Sequence, residues 1–506
     1  MKKFLRRLVY LFLFVGAVLS VLGLLYGHTV TASLHGANGF ATKWVCSEVF
    51  VTGLSLDQAM DDLPDNPLLP LMRPHLDREA ETVTLSVAGL FARSAVHRDG
   101  FGCTLIPPGS TVDDLASVPE PGTDVLPSPT TAEAPDSAPA PDGEEDGSVP
   151  TEKDEAPAPK IDREALDRAV ALAFAEPEPK RPKETRAVLV VYDGEIVAER
   201  YAPGFKADTP LTGWSMTKSW THTLIGLAVE RGLVDIHADL DMPDWPEQDP
   251  RRELTLDHLL RMSSGLDFEE DYAKLDGDAV QMLFVGRDSG SFALAKPLAQ
   301  APDTRWYYSS GTTNAVSLLL RRAFPSDDAY LSFPRSAFFE PLGMESALIE
   351  PDPSGTFVGS SFGWATARDW AKFGRLYLQD GVWNGERLLP EGWVRYAATP
   401  TPAAPRGRYG AHFWLNAGTP ENPDDRPMPS LPTDLLMASG FNGQHVVIAP
   451  SKNAVIVRLG LSRKPTTWDL ETFLGPVLDA LPSVDRSTID APTDEAPADG
   501  GPAPVD

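Results

Sequence analysis

The chain has 506 residues and a formal net charge of −28. This length allows two to four domains and a large hydrophobic core. Two segments are strongly acidic: residues 111–160 contain 13 acidic and 2 basic residues, and residues 484–506 contain 6 and 1. The rest of the chain is only mildly acidic, which argues against a nucleic-acid-binding protein.

Residues 1–30 predict a cytoplasmic stub followed by a membrane anchor. Four basic residues within the first seven precede an uncharged apolar run over residues 8–26. A run of about 19 residues is long enough to cross a bilayer and longer than the usual core of a cleaved secretory signal. The basic flank lies before the run, so the rest of the chain is expected in the periplasm or outside the cell. The sequence leaves cleavage of the anchor open.

Residues 31–107 are expected to form a small membrane-proximal module. Two runs, Val45 to Leu54 and Thr82 to Ala95, are rich in β-branched and apolar residues. The only two cysteines of the chain, Cys46 and Cys103, also lie here. In an oxidising compartment such a pair most simply forms a disulfide, and two free thiols are the alternative.

No metal or cofactor is expected. Two cysteines are too few for a metal site, and the nine histidines have none of the spacings of a zinc site.

Residues 108–160 and the tail over residues 484–506 are dominated by Pro, Ala, Asp, Glu, Ser and Thr. Such segments bury too little apolar surface to offset their chain entropy, so both are predicted to be disordered. The first would be an acidic linker. This break in composition predicts that a fragment beginning near residue 160 folds and acts on its own.

Residues 161–483 are predicted to form one α+β domain. It begins with an amphipathic helix from Arg163 to Ala175 and two strands over residues 187–192 and 195–201. Asp193-Gly194 between the strands is a strong hairpin signal.

The middle of this domain, residues 250–400, is predicted to consist mainly of helices and loops. A second hairpin then joins residues 445–449 to residues 454–459, and a helix over residues 468–481 follows. This order predicts an antiparallel sheet made from both ends of the domain and flanked by the terminal helices. A helical subdomain would lie opposite, with a site in the crevice between them.

A serine and a lysine at the start of a helix provide the first candidate chemistry. Ser215 stands three residues before Lys218, and an apolar helical pattern continues to Glu230. Residues at this spacing are neighbours on a helix, so a partly desolvated Lys218 would stand beside Ser215 and accept its proton. The Ser215 backbone N–H would face a developing oxyanion. Alone, the S-x-x-K pattern also occurs by chance in chains of this length.

Three later stretches strengthen this interpretation: residues 259–266 (LLRMSSGL), 305–314 (RWYYSSGTTN) and 440–450 (GFNGQHVVIAP). Together with S-M-T-K, their order and spacing resemble the serine β-lactamase-related family. That family includes class C β-lactamases, D-alanyl-D-alanine carboxypeptidases, esterases and 6-aminohexanoate-oligomer hydrolases. The phrase YSSGTTN with Gly443-Gln444 is most similar to the last branch.

The resemblance implies a β-lactamase/transpeptidase-like fold and a serine hydrolase that acts on an amide or ester through an acyl-enzyme. Ser215 matches the nucleophile, and Lys218 with Tyr308 matches the pair that moves the proton to the leaving group. The Gln444 backbone N–H would complete the oxyanion hole with that of Ser215. The phenol pKa of Tyr308 is expected to be lowered by the lysine.

Residues Ser310, Asn442 and Gly443 are candidate substrate contacts, and two departures from the family pattern lie among or beside them. Ser310 stands where the family often has asparagine, and Phe441 stands where it has lysine or histidine. Without that cation, the chain is a poor match to an enzyme that binds the carboxylate of a β-lactam. The expected substrate is a small or peptide-like molecule. The oligomeric state is unknown.

Two other functions stay open: trimming of peptidoglycan peptides, and a non-catalytic ectodomain on a tether. Two further features have simpler interpretations. Residues 359–363 (GSSFG) fit the G-x-S-x-G nucleophile pattern but lack the apolar strand that should precede it. His222 lies one helical turn beyond Lys218, where packing is the expected role.

Overall fold

The structure is a computed structural model. It describes residues 27–119 and 160–484, apart from 66–67, 179, 241, 243–244 and 465. The predicted anchor over residues 8–26, most of the predicted linker and almost all of the tail lie outside the described residues. Within the described part of the chain, no helix is long and apolar enough to cross a membrane. The anchor and the location of the protein stay predictions.

The α-helices of the described chain are α1 (residues 27–50), α2 (Leu56–Asp61), α3 (Arg163–Phe174), α4 (Thr217–Glu230), α5 (Leu256–Leu260), α6 (Asp278–Phe284), α7 (Ser289–Leu294), α8 (Ser310–Arg322), α9 (Asp327–Pro334), α10 (Ala367–Leu378), α11 (Trp393–Ala398) and α12 (Leu470–Asp479). The strands are β1 (Met72–Asp77), β2 (Thr82–Val87), β3 (Leu90–Arg98), β4 (Gly102–Leu105), β5 (Thr185–Tyr192), β6 (Glu195–Tyr201), β7 (Leu211–Thr212), β8 (Leu348–Ile349), β9 (Gly363–Ala365), β10 (Val382–Trp383), β11 (Glu386–Arg387), β12 (Trp414–Leu415), β13 (Leu436–Gly440), β14 (Gln444–Ala449) and β15 (Ala454–Gly460).

The central antiparallel sheet combines both ends of the predicted domain, as the sequence predicts. Its strand order is β12-β13-β14-β15-β5-β6, so β15 pairs with β5 from the other end. Both predicted hairpins are present. Asp193 and Gly194 have positive φ angles, as a tight hairpin turn between twisted strands requires.

Helices cover both faces of this sheet. Helices α3 and α12 pack on one face, where Leu166, Val170 and Leu474 form a core with the sheet residues Val188 and Ile456. On the other face α10 approaches so closely that a Cβ on its Gly374 would lie 2.6 Å from Val455. Strands with both faces covered are apolar along their whole length, which explains the continuous run Ala187–Val191.

A mostly helical part lies beyond α10 and includes α5 to α9 and α11. Helix α4 is buried on nearly every side because it lies between the sheet and this part, and its residues 217–228 are all buried. The first turn of α4 therefore faces the crevice between the two parts, where the sequence predicts a site.

The N-terminal region consists of helix α1, helix α2 and the four-stranded sheet β1-β2-β3-β4. The run Val45 to Leu54, although rich in β-branched residues, is largely helical because α1 continues to residue 50. The run Thr82 to Ala95 forms strands as its composition suggests. Cys46 and Cys103 form the predicted disulfide, which joins α1 to β4.

Glu350 connects this region to the large domain. Its carboxylate is fully buried and paired with Lys43 of α1. It also accepts hydrogen bonds from the Ser47 hydroxyl (2.6 Å), the Cys103 backbone N–H (2.7 Å) and the Trp364 indole (2.8 Å). A buried carboxylate needs such a complete set of donors, and two of its four partners come from α1.

Apolar contacts extend the same connection. Residues of α1 and of the domain belong to one hydrophobic cluster. The rings of Trp44 and Trp214 stack with centroids 5.1 Å apart, and Phe40 stacks on Trp214 at 6.2 Å. Helix α1 therefore contributes to the core of the domain.

These contacts argue against the expectation that a fragment beginning near residue 160 folds and acts on its own. Without residues 27–159, Glu350 loses Lys43 and Cys103 as partners, and the core loses large buried side chains such as Trp44, whose removal costs about 3–5 kcal/mol. We expect this fragment to have a free energy of unfolding lower by at least that amount than a chain beginning at residue 27. Chemical unfolding of the two proteins, followed by intrinsic fluorescence, measures the difference.

The chain from residue 27 is the appropriate reference because it retains α1 and lacks only the residues before it. Equal unfolding midpoints for the two proteins would mean that α1 rests on an already complete domain.

Candidate active site

Ser215 lies on a tight turn that leads into α4. A 3-10 turn spans Trp214–Met216 and continues directly into the helix. Trp214 has a φ of 47°, a left-handed conformation that bulky residues rarely adopt. The Thr217 hydroxyl donates to the Trp214 carbonyl (2.6 Å) and so holds the turn closed. The turn leaves Ser215 half-buried at the edge of the crevice, where a substrate can reach it.

Lys218 is the neighbour that the S-x-x-K spacing predicts. Its Nζ lies 3.2 Å from Ser215 Oγ, 3.0 Å from Ser310 Oγ and 3.0 Å from the Ser360 carbonyl oxygen. A neutral amine has two N–H donors and one lone pair. With Ser310 and Ser360 as the two acceptors, the lone pair of a neutral Lys218 points to the Ser215 hydroxyl.

Burial makes this neutral form accessible. Lys218 is 1% exposed, and the cost of removing its charge from water lowers its pKa to about 8. The Glu270 carboxylate acts in the opposite direction and prevents a larger fall. The hydrogen bonds from Lys218 to Ser310 and Ser360 stabilise its ammonium form in the same position. Lys218 thus exchanges a proton near neutral pH.

Tyr308 lies against Lys218, but its pKa differs from expectation. The Lys218 ammonium is 4.8 Å from the centroid of the Tyr308 ring. Burial raises the pKa of the Tyr308 phenol, and a hydrogen bond with Ser215 only partly opposes this. The expected lowering by the lysine is wrong because the loss of water and the charge of the Glu270 carboxylate both raise the pKa of the phenol. Tyr308 stays a neutral phenol that donates and accepts hydrogen bonds.

The backbone around Tyr308 is fixed by the motif at residues 259–266. The Met262 carbonyl accepts a hydrogen bond from the Tyr307 N–H (2.8 Å), and the Met262 sulfur lies 3.4 Å from the Ser309 N–H. The Ser309 hydroxyl then caps α8 by accepting from the Thr312 N–H. This motif therefore supports the site without entering it.

Glu270 and Tyr272 are site residues that sequence reasoning missed. Glu270 accepts from the Ser310 hydroxyl (2.5 Å) and from the Ser310 N–H (2.7 Å). The Tyr272 hydroxyl lies 3.0 Å from Ser310 Oγ, while its side chain is 45% exposed. A hydrogen-bonded chain thus runs from Ser215 through Lys218 and Ser310 to Glu270. No motif marks the loop that supplies Glu270, so the sequence offered no signal for it.

At the edge of the sheet, Gly440 is the residue beside Ser215. A Cβ on Gly440 would lie 2.1 Å from the Gly213 carbonyl and 3.1 Å from the Ser215 nitrogen. Only glycine allows β13 to pass the turn so closely. The next residue, Phe441, lines the same pocket as Ser215 and has a 52% exposed side chain.

The predicted contacts Asn442, Gly443 and Gln444 lie farther along and face other parts of the protein. The carbonyls of Asn442 and Gly443 accept hydrogen bonds from Arg458, and a Cβ on Gly443 would contact Arg458 and Trp468. The Gln444 side chain is buried and bonds both backbone groups of Gly460. The structure brings Ser215, Lys218, Tyr308 and Ser310 together, but not these three.

The G-x-S-x-G stretch supports Lys218, and its Ser361 also lines the pocket that contains Ser215. The Ser360 carbonyl holds Lys218, and the Ser361 hydroxyl lies 2.9 Å from that of Ser360. His222 is fully buried, with its Nδ1 2.7 Å from the Tyr377 hydroxyl and its ring 4.7 Å from that of Trp393. Its role is packing, as expected.

The geometry combines a reachable hydroxyl, an amine that exchanges protons and a neutral phenol. These are the parts of nucleophilic catalysis at a carbonyl carbon. In the described residues, no group of three or more His, Cys, Asp or Glu side chains is placed to hold a metal ion.

The part of the chain that carries this site matches a known family. The Beta-lactamase family model matches residues 180–470, more than half of the chain. The 6-aminohexanoate-dimer hydrolase of Paenarthrobacter ureafaciens is 25% identical over 349 residues, which cover 61% of this chain and 81% of that protein.

Two solved structures also align with this chain. A protein from Bacteroides dorei assigned as a beta-lactamase aligns with a TM-score of 0.51 and 16% identity, over 63% of this chain and 97% of that one. A family VIII carboxylesterase aligns with a TM-score of 0.48 and 16% identity, over 63% and 96% of the two chains. Together with the family match, the motifs around Ser215 identify this chain as a member of the beta-lactamase family.

Proposed function

We propose that this protein is a serine hydrolase that cleaves a neutral ester or amide through an acyl-enzyme on Ser215. The single observation that carries the proposal is the buried amine of Lys218, 3.2 Å from Ser215 Oγ, with its pKa lowered to about 8. A serine hydroxyl is a weak nucleophile until such a base takes its proton.

The proposed reaction begins with transfer of the Ser215 hydroxyl proton to Lys218. The Ser215 oxygen forms a bond to the substrate carbonyl carbon, and the carbonyl oxygen becomes an oxyanion. The bond to the leaving group then breaks, and the Lys218 proton reaches the leaving group through the Tyr308 hydroxyl. Water attacks the resulting acyl-enzyme, gives one proton to Lys218 and releases the acid, after which Ser215 regains its proton.

Backbone N–H groups would stabilise the oxyanion. Ser215 supplies one at the start of α4. We assign the second to Phe441 in place of Gln444, because Gly440 passes beside the Ser215 nitrogen and Phe441 follows it in the same pocket.

Residues around the pocket favour a substrate without a carboxylate. The family's third motif places its lysine or histidine two residues before a glycine, and Ala438 stands two residues before Gly440. Ala438 lies on the same face of β13 as Gly440, since side chains alternate along a strand. Neither Ala438 nor Phe441 supplies a cation. A terminal carboxylate such as that of a peptide would therefore enter without a partner, which makes peptidoglycan trimming the less favoured function.

Replacement of Ser215 tests the nucleophile. We expect Ser215→Ala to abolish labelling by a fluorophosphonate probe and to lower p-nitrophenyl ester turnover by at least roughly a thousandfold, as loss of a serine nucleophile does elsewhere. The test is mass spectrometry of the labelled full chain with steady-state kinetics. Ser361→Ala, which removes the serine of the G-x-S-x-G stretch, should keep the label. A folded wild-type protein with neither label nor turnover would support a non-catalytic ectodomain.

The pKa of Lys218 sets the pH dependence. Lys218 accepts a proton only when it is neutral, so kcat/KM should rise with pH and level off above about 8. The Glu270 carboxylate favours the charged lysine. Glu270→Gln should therefore lower the Lys218 pKa and move this rise to lower pH. The pH profile of ester hydrolysis measures the shift.

Glu269→Gln is the matched control for that profile. Glu269 is the adjacent carboxylate in the chain, but it pairs with Lys274 at the surface. A rise that stays in place in Glu270→Gln, or moves equally in both variants, would mean that Glu270 does not act on Lys218.

Substrate charge provides a third test. p-Nitrophenyl butyrate and mono-p-nitrophenyl succinate have similar lengths, but the second ends in a carboxylate. An unpaired buried charge is costly, so we expect kcat/KM for butyrate to exceed that for succinate by at least about tenfold. Equal values, or a preference for succinate, would indicate a cation in the site and favour a carboxylate-bearing peptide substrate.

A further inference from the structure

Helix α1 forms one wall of the pocket that contains Ser215. This pocket has a volume of about 210 Å³. Helix α1 contributes Gly36, Ala37 and Phe40 to its lining, while Trp214 and Phe441 flank Ser215 from the domain. The family match begins at residue 180, so this wall comes from a part of the chain outside it.

The wall is held tightly against the domain. A Cβ on Gly36 would lie 2.6 Å from the Leu275 carbonyl, and one on Gly39 would lie 2.2 Å from the Phe284 carbonyl. Both glycines therefore allow α1 to touch the backbone of the segment that completes the pocket. The Gln281 side chain also donates to the Ala32 carbonyl (3.1 Å).

Further attachments hold the C-terminal half of α1 and the chain that follows it. The Glu350 network and the Cys46–Cys103 disulfide fix the C-terminal half of α1. Arg186 of the domain pairs with Asp62, close to Pro64, which also lines the pocket. A wall attached in this way has a fixed shape and therefore selects among substrates by size.

The lining defines what fits. It contains the hydroxyls of Ser215, Ser361 and Tyr272, and its other side chains are apolar or glycine. No charged side chain is among the lining residues. The volume is below the range of about 300–1,000 Å³ that is usual for drug-sized ligands, so the matching group is small.

We infer that α1 is a specificity-determining wall of the active site, and that the substrate places a small, uncharged apolar group against it, next to the scissile bond. This inference rests on the proposed hydrolysis at Ser215. Ala37 and Phe40 supply the α1 side chains of the lining, and Phe40 also stacks on Trp214.

Size-altering substitutions in the full-length protein test the inference. Ala37→Leu should narrow the pocket. We expect it to lower, by about tenfold, the ratio of kcat/KM for the larger substrates of a series to kcat/KM for the smallest substrate of that series. Phe40→Leu should widen the pocket and raise the same ratio. The ratio is measured in two series: p-nitrophenyl acetate, butyrate and octanoate, and acetate esters of methanol, butanol and hexanol. A change in either series supports the inference and shows which side of the scissile bond faces α1.

Thr31→Leu is the matched control, because Thr31 lies on the exposed face of the same helix. It should leave both series unchanged. Fluorophosphonate labelling verifies that each variant keeps a working Ser215. Labelled, active variants whose size profiles equal that of the wild type would overturn the role of α1 while leaving the hydrolase intact. Absence of labelling and turnover in the wild type would instead reject the proposed function.

Discussion

Two opposing effects set the pKa of Lys218, and the arrangement of the site depends on their balance. Burial favours the neutral amine, whereas hydrogen bonds from its ammonium form to Ser310 and Ser360 and the charge of Glu270 favour the cation. With burial alone the amine would be too weak a base to take a serine proton. With Glu270 in direct contact it would stay charged. Placing Glu270 one hydrogen bond beyond Ser310 leaves the pKa near 8.

Helix α1 supports the turn that carries Ser215, through its contacts with Trp214. The Trp44 and Phe40 rings stack on Trp214, which has a left-handed conformation beside the nucleophile. Such a conformation costs about 1–3 kcal/mol and persists only when surrounding contacts hold it. The N-terminal region supplies part of that support, and its own position depends on Glu350. The buried ion pair is thus connected to the geometry of Ser215 through packed rings.

Local patterns predicted much of the fold and part of the site. The Asp193-Gly194 turn, the sheet made from both ends of the domain, and the Ser215–Lys218 pair all depend on short-range spacing that the sequence displays. The helix over Val45 to Phe50 was not predictable from composition, because its stability comes from burial against distant residues of the domain. Glu270 was missed for the same reason: its importance lies in a contact with Ser310, 40 residues away.

The glycines of the third motif show the limit of pattern reasoning most clearly. Gly440 ends β13 and Gly443 comes directly before β14, and both have a physical reason to be glycine. Only their surroundings distinguish them: Gly440 passes the Ser215 turn, whereas Gly443 makes room for Arg458 and Trp468. If the glycine of the family's third motif is aligned with Gly440 instead of Gly443, the position of the family's lysine or histidine falls on Ala438 rather than on Phe441. Ala438 then lies on the strand face beside the nucleophile. Neither residue carries a charge, so the strand and the apolar wall of α1 both favour a neutral substrate.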